Sequence, residues 1–157
     1  MSAQDNATGA VGRSRLGVAI GDEHWLIDLA EAGEILPIPD AVTMVPGTKP
    51  WFQGLANLRG SLFGVTDLNI LQGLDRTECG KDARLLAFSD SLGLNAAVLV
   101  SKMMGLQHMD QMTVTQQCER PGQWAGDAWV DASGTQWREL HLSQLCRDEQ
   151  FLSVNHE

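Results

Sequence analysis

Val45 to Gly73 reads VPGTKPWFQGLANLRGSLFGVTDLNILQG, and the rest of the chain is organised around it. Val45-Pro46-Gly47 and Lys49-Pro50 open it with turn chemistry, in which proline fixes φ and glycine accepts positive φ. Gly54 to Leu58 alternates small and apolar residues and ends on Arg59-Gly60, an extended segment closed by a turn. Ser61 to Thr66 is a second extended segment, and Asp67 is placed to cap a short helix ending near Gly73. The order is strand, arginine at a tight turn, strand, capped helical turn. It fixes one long cation at a corner of a β framework, in a chain whose net charge is −9. Such a corner suits docking better than bond-making.

The sequence on either side reads the same way. Leu16 to Ile20 and Trp25 to Leu29 flank Gly21-Asp22, a hairpin signal, with Leu16, Val18 and Ile20 on one face and Trp25, Ile27 and Leu29 likewise. Ala30 to Gly33 has room for one helical turn, and Pro37 and Pro39 make Glu34 to Ile38 an edge strand. Leu74 to Asp82 is a polar loop. Arg84 to Asp90 and Leu92 to Ser101 form a second hairpin around Ser91 to Gly93. Met103 to Met109 is a strand with Gly105 as a bulge or close-packing point. Thr113 to Gly122 is polar with a Pro-Gly turn. Ala125 to Val130 and Thr135 to Leu140 form the last hairpin, and Leu142 to Arg147 is a terminal helix or turn that Ser143 could cap. Short strands, frequent turns and little helical periodicity indicate an all-β barrel or sandwich.

A chain of 157 residues, 43% hydrophobic and 20% charged, is most simply one soluble domain with a real core. Residues 1–13 read as a disordered leader without the basic and apolar regions of a signal peptide, ahead of a domain over 14–154. No apolar run approaches the ~20 residues needed to cross a bilayer. The acidic balance argues against generic binding to nucleic acid or an anionic membrane. Cys79, Cys118 and Cys146 have no CxxC spacing, so disulfides are not expected, in keeping with a cytoplasmic location.

Signatures of catalysis are missing from the sequence. There is no phosphate-binding GxxxxGK[ST] loop, no GxGxxG after a strand and no HExxH. His24, His108, His141 and His156 are dispersed, without metal-like spacing to a cysteine or to each other, so neither a metal nor a cofactor is expected. His108 reads as a half-buried strand histidine. Trp51-Phe52 reads as core packing, with a lid over a groove for a partner's helix as the alternative.

Gly54-Leu-Ala-Asn-Leu-Arg-Gly60 followed by Val65-Thr-Asp-Leu68 resembles the central signature of CheW-like adaptor domains of bacterial chemosensory arrays. Pro46-Gly47 to Trp51, Gly105-Leu-Gln-His108 and the tail Asp148 to Val154 extend the similarity, which covers roughly residues 14–154 and points within the family to adaptors of type IV pilus systems. The resemblance implies two small SH3-like five-stranded β-barrels packed along a hydrophobic seam. It also implies a non-enzymatic scaffold joining the regulatory domain of a CheA-type histidine kinase to the cytoplasmic tip of a chemoreceptor, recruited to membrane-associated arrays without inserting into the membrane.

The resemblance carries particular residues with it. Arg59, with Asn57 and Leu58, falls where the family binds receptor; Gly54 and Glu34 fall at positions tied to kinase coupling. On the residues alone, Arg59 is either a structural arginine bonding loop carbonyls or an interface anchor, and Gly54 is either a backbone necessity or part of a flat contact surface. Family members often carry proline in a V-P-V-x-D-L run where this chain has Phe63-Gly64-Val65. A flagellar chemotaxis adaptor is the alternative within the family. A β-barrel enzyme or ligand-binding protein is the alternative outside it, to be recognised by a deep polar pocket with converging ionisable groups.

Overall fold

A computed structural model of the chain describes residues 14–39, 42–58, 60–118 and 123–154. Strands β1 (Ser14–Ile20) and β2 (Glu23–Asp28) pair antiparallel with Ile20 opposite Glu23, so Gly21-Asp22 is the two-residue turn, with Gly21 at φ +61°. The expected alternation holds: Leu16, Val18, Ile20, Trp25 and Ile27 are buried together, while Leu26 faces the other way against Met109 and Trp137. The helical turn expected over Ala30–Gly33 does not form. Asp28 accepts hydrogen bonds from the Ala30 N–H through its side chain and from the Glu31 N–H through its carbonyl, making a turn that leads straight into β3 (Ala32–Pro37).

β4 (Phe52–Leu58), β5 (Ser61–Thr66) and helix α1 (Leu68–Leu71) follow the expected order. After the 74–82 loop come β6 (Arg84–Phe88), β7 (Ala96–Val100), β8 (Lys102–His108), β9 (Thr113–Gln116), β10 (Ala125–Val130) and β11 (Gln136–Leu140), then helices α2 (Leu142–Leu145) and α3 (Glu149–Leu152). They build a five-stranded sheet in the order β3-β6-β7-β5-β4 and a six-stranded sheet in the order β8-β1-β2-β11-β10-β9. Each sheet contains one parallel pair, β5 with β7 and β2 with β11.

The two-sheet, all-β plan is the one expected, with β9 as the additional strand of the larger sheet. Thr113 to Gln116 shows no strand pattern in the sequence because every residue of this edge strand is exposed, leaving no buried face to produce alternation. The Pro121-Gly122 turn lies outside the described residues. At β8 the ladder to β1 shifts register between Gly17 and Val18, opposite Gly105 at φ +83°, so the expected bulge is present.

The core has a central seam and two interiors. At the seam, Val18, Ile20 and Trp25 of the larger sheet meet Leu86, Phe88, Val98 and Val100 of the smaller, closed over by Leu68, Leu142, Leu145 and Phe151. The opposite faces of β6 and β7 carry Leu85, Ala87, Ala97 and Leu99 into the interior of the smaller sheet, against Ala56, Leu58 and Val65. Burial on both faces explains why these two strands read as continuous apolar runs.

α2 starts in an unexpected way. Ser143 is not its cap: His141 holds the cap position without a side-chain bond, and the Leu142 N–H donates instead to Glu31 Oε1 at 2.8 Å. A residue 111 positions away in sequence thus satisfies the helix start and ties the β2–β3 turn to the C-terminal segment.

Candidate docking surface

The β4–β5 hairpin pairs Leu58 with Ser61, leaving a two-residue turn. Arg59 lies outside the described residues. Its neighbours hold the corner. Gly60 has φ +86°, and its N–H donates to Asn57 Oδ1 at 3.0 Å, so an exposed asparagine closes the turn with its own side chain. Leu58 is buried in the interior of the smaller sheet. Asn57 and Leu58 therefore shape and anchor the corner.

Gly54 is dictated by backbone. It sits in β4 at φ +130°, and a Cβ there would overlap the Thr43 carbonyl oxygen and lie 2.8 Å from the Thr43 carbonyl carbon. Thr43 comes this close because it forms an isolated antiparallel bridge with Leu55, with reciprocal N–H···O bonds of 2.8 Å each. Gly64 has a related origin. Its N–H donates to the Asn95 carbonyl at 3.0 Å, a bond that proline cannot make, and a Cβ would fall 2.9 Å from the Phe52 ring.

Glu34 is exposed on β3, the far edge of the smaller sheet from β4. The curl of the sheet brings these edges together at one end. Glu34 and Leu36 of β3 line a cleft of about 620 Å³ with Leu58, Ser61 and Phe63 of the hairpin and Asp90 beyond β6. Glu34 and Leu58, tied by resemblance to different partners, share this cleft. Gly54 belongs to the Thr43 bridge and does not line it.

The segment before β4 is strapped down by the C-terminus. Lys49 donates through its N–H to the Val154 carbonyl at 2.7 Å and through Nζ to the Ser153 carbonyl at 3.0 Å. Asp148 caps α3 by accepting from the Phe151 N–H at 2.9 Å, and Phe151 is stacked between Trp51 and Phe88 at ring separations of 5.9 and 6.1 Å. Trp51 is 4% exposed, so it is core and not a lid. Two stretches singled out by resemblance, Pro46 to Trp51 and Asp148 to Val154, are thus one packed unit. Nothing in the sequence pointed to that pairing.

Asp67 does more than cap α1. Fully buried, it accepts from the Asn69 and Ile70 N–H groups, and also from the Thr77 N–H at 2.9 Å and the Thr77 hydroxyl at 2.7 Å. That clasp fixes the 74–82 loop against the signature helix. His108, expected to be half-buried, is exposed, with Nδ1 3.3 Å from Ser14 Oγ.

One ionic contact is built into the larger sheet. His141 Nε2 lies 2.9 Å from Glu139 Oε1, and Glu139 Oε2 accepts from Trp129 Nε1 at 2.7 Å. The bond to Glu139 raises the His141 pKa against the opposing effect of burial. Burial pushes Glu139 up, but the bonds from His141 and Trp129 outweigh it and the net shift is downward. Among the described residues the three cysteines are free, and no group of three or more His, Cys, Asp or Glu side chains is placed to hold a metal ion. No helix among them is long and apolar enough to cross a membrane.

Comparison with known proteins gives concordant results. The family model of the CheW-like domain matches residues 15–150. Protein PilI of Pseudomonas aeruginosa is 32% identical over 104 residues, covering 66% of this chain and 57% of PilI. Chemotaxis protein CheW of Helicobacter pylori is 37% identical over 71 residues, covering 45% of this chain and 42% of that protein. The matches thus span about half the length of these relatives. Among solved structures, the scaffolding protein TtCheW of Thermoanaerobacter tengcongensis superposes with a TM-score of 0.66 at 17% identity, over 84% of this chain and 92% of that one.

Proposed function

The chain belongs to the CheW-like domain family, and from that membership we propose that it is a non-enzymatic chemosensory adaptor linking a CheA-type histidine kinase to a chemoreceptor. Two surfaces of one rigid body engage two partners, and kinase output changes because the partners are held in register. Each contact can be modest alone, because assembly raises the effective concentration of the next. The similarity to PilI supports a type IV pilus output, with twitching motility as the behaviour controlled. The adaptor works in the cytoplasm and joins arrays through its partners.

The observation that carries this reading is the cleft that Glu34 of β3 shares with Leu58 and Ser61 at the β4–β5 corner. Three independent devices hold that corner: the Asn57 bond to the turn, the burial of Leu58 and the β4–β5 ladder. Arg59 adjoins these residues in sequence, and arginine is enriched among residues that dominate interfaces. Kinase coupling through Gly54 is indirect in this account. The glycine permits the Thr43 bridge, and the bridge sets the edge that a partner meets.

The test is co-elution of the purified chain with a cognate kinase regulatory domain, and separately with a receptor cytoplasmic fragment, without added nucleotide or metal. Binding to both supports the reading. Binding to neither ends it.

A further inference from the structure

A second surface lies apart from the Glu34 cleft. Between the β1–β2 turn and the 74–82 loop runs a groove of about 790 Å³. One wall carries Asp22 and Glu23; the other carries Asp75, Glu78 and Asp82, offset only by Arg76 and Lys81. All five carboxylates belong to exposed residues, and among the described residues Asp22, Asp75, Glu78 and Asp82 have no ion-pair partner. Like charges facing each other across a groove repel, which concentrates negative potential between the walls.

The groove also contains an unused buried group. Asn69 lines it, is 7% exposed, and has no hydrogen-bond partner for Oδ1 among the described residues. Its backbone is fully engaged, with the N–H on Asp67 and the carbonyl accepting from Leu74. Its amide fits beneath Gly21 because that residue has no side chain; a Cβ at Gly21 would overlap Asn69 Nδ2. A buried acceptor left unpaired is costly, and because this oxygen is shut off from solvent, a donor arriving in the groove relieves the cost once the amide turns toward it. Both walls are held in place. The Asp67 clasp on Thr77 anchors one, and the bond from the Gly21 N–H to Ser101 Oγ at 2.9 Å anchors the other.

We propose that this groove docks a basic segment of a partner protein, with an arginine or lysine side chain reaching Asn69. The charge complementarity selects a cationic partner, and the open length between two walls suits a chain segment. The site needs neither the kinase nor the receptor assigned above, so it stands or falls separately from the adaptor reading.

The test uses the intact purified chain and a short end-blocked peptide carrying two arginines and no acidic residue, followed by calorimetry and by the side-chain amide signals of Asn69 in NMR. The peptide is expected to bind and to shift those signals. Glu78→Gln combined with Asp82→Asn is expected to weaken binding about tenfold, the scale of two exposed charge contacts. The control pair Asp90→Asn with Asp110→Asn, outside the groove, is expected to leave it unchanged. No binding, equal loss in both double variants, unmoved Asn69 signals, or spermidine binding as tightly as the peptide would each overturn the proposal.

Discussion

Replacing Gly54 by alanine separates a backbone role from a contact role. The new Cβ meets the Thr43 carbonyl, 2.8 Å from its carbon, at a φ of +130° that side chains rarely adopt. Relief requires β4 to rotate out of that region or Thr43 to withdraw, and withdrawal breaks both 2.8 Å bonds of the Thr43–Leu55 bridge. Backbone strain of this kind costs about 1–3 kcal/mol, and each lost hydrogen bond about 1 kcal/mol. Gly54→Ala should therefore lose about 3–5 kcal/mol, a large part of the 5–15 kcal/mol typical of a domain, with the thermal midpoint falling by about 10 °C. Urea unfolding followed by tryptophan fluorescence measures the loss, and kinase binding is measured on the same preparations below the transition. A variant within about 0.5 kcal/mol of the parent that nevertheless loses kinase binding would refute the backbone account. Gly54 would then be a contact residue.

Three further outcomes are expected. Phe151→Ala should cost about 3–4 kcal/mol, because it removes the ring stacked between Trp51 and Phe88; an unchanged urea midpoint would show that the C-terminal strap does not brace the segment before β4. Arg59→Ala should weaken binding of a receptor fragment by about 2 kcal/mol with little change in thermal midpoint, whereas loss of stability with unchanged affinity would return Arg59 to a structural role. For the Glu139–His141 pair, the raised histidine stabilises below its ordinary value of 6.5 and loses that contribution as pH rises through its folded pKa. The lowered glutamate stabilises above 4.5 and loses its contribution as pH falls through its folded pKa. The difference in thermal midpoint between the parent and His141→Gln should be greatest between those values and shrink toward alkaline pH, and a flat difference would exclude the pair as a source of pH dependence.

Local chemistry was legible in the sequence. The Gly21-Asp22 turn, the Asp67 cap and the Gly105 bulge each announce themselves through residue types whose backbone preferences leave few alternatives. The second hairpin was legible at β6 and β7, but the burial of both their faces was not. What escaped was set by distance along the chain. Glu31 capping α2, Phe151 closing the Trp51 stack, and Thr43 forcing a glycine at position 54 are contacts between segments that carry no local sign of each other. β9 escaped for the opposite reason, being too exposed to show a pattern. Glu34 and Leu58, one residue from each set of partner residues, meet for a geometric reason: the sheet curls, so β3 and the β4–β5 corner, at opposite ends of the strand order, line one cleft.

The proposed adaptor holds a kinase and a receptor at once. Sedimentation velocity on an equimolar mixture of the chain, the kinase regulatory domain and a receptor cytoplasmic fragment tests it directly. The account predicts a boundary containing all three, reverting to slower species when the chain is left out. Kinase domain and receptor fragment sedimenting together just as well without the chain, or the two displacing each other from it, would contradict the account.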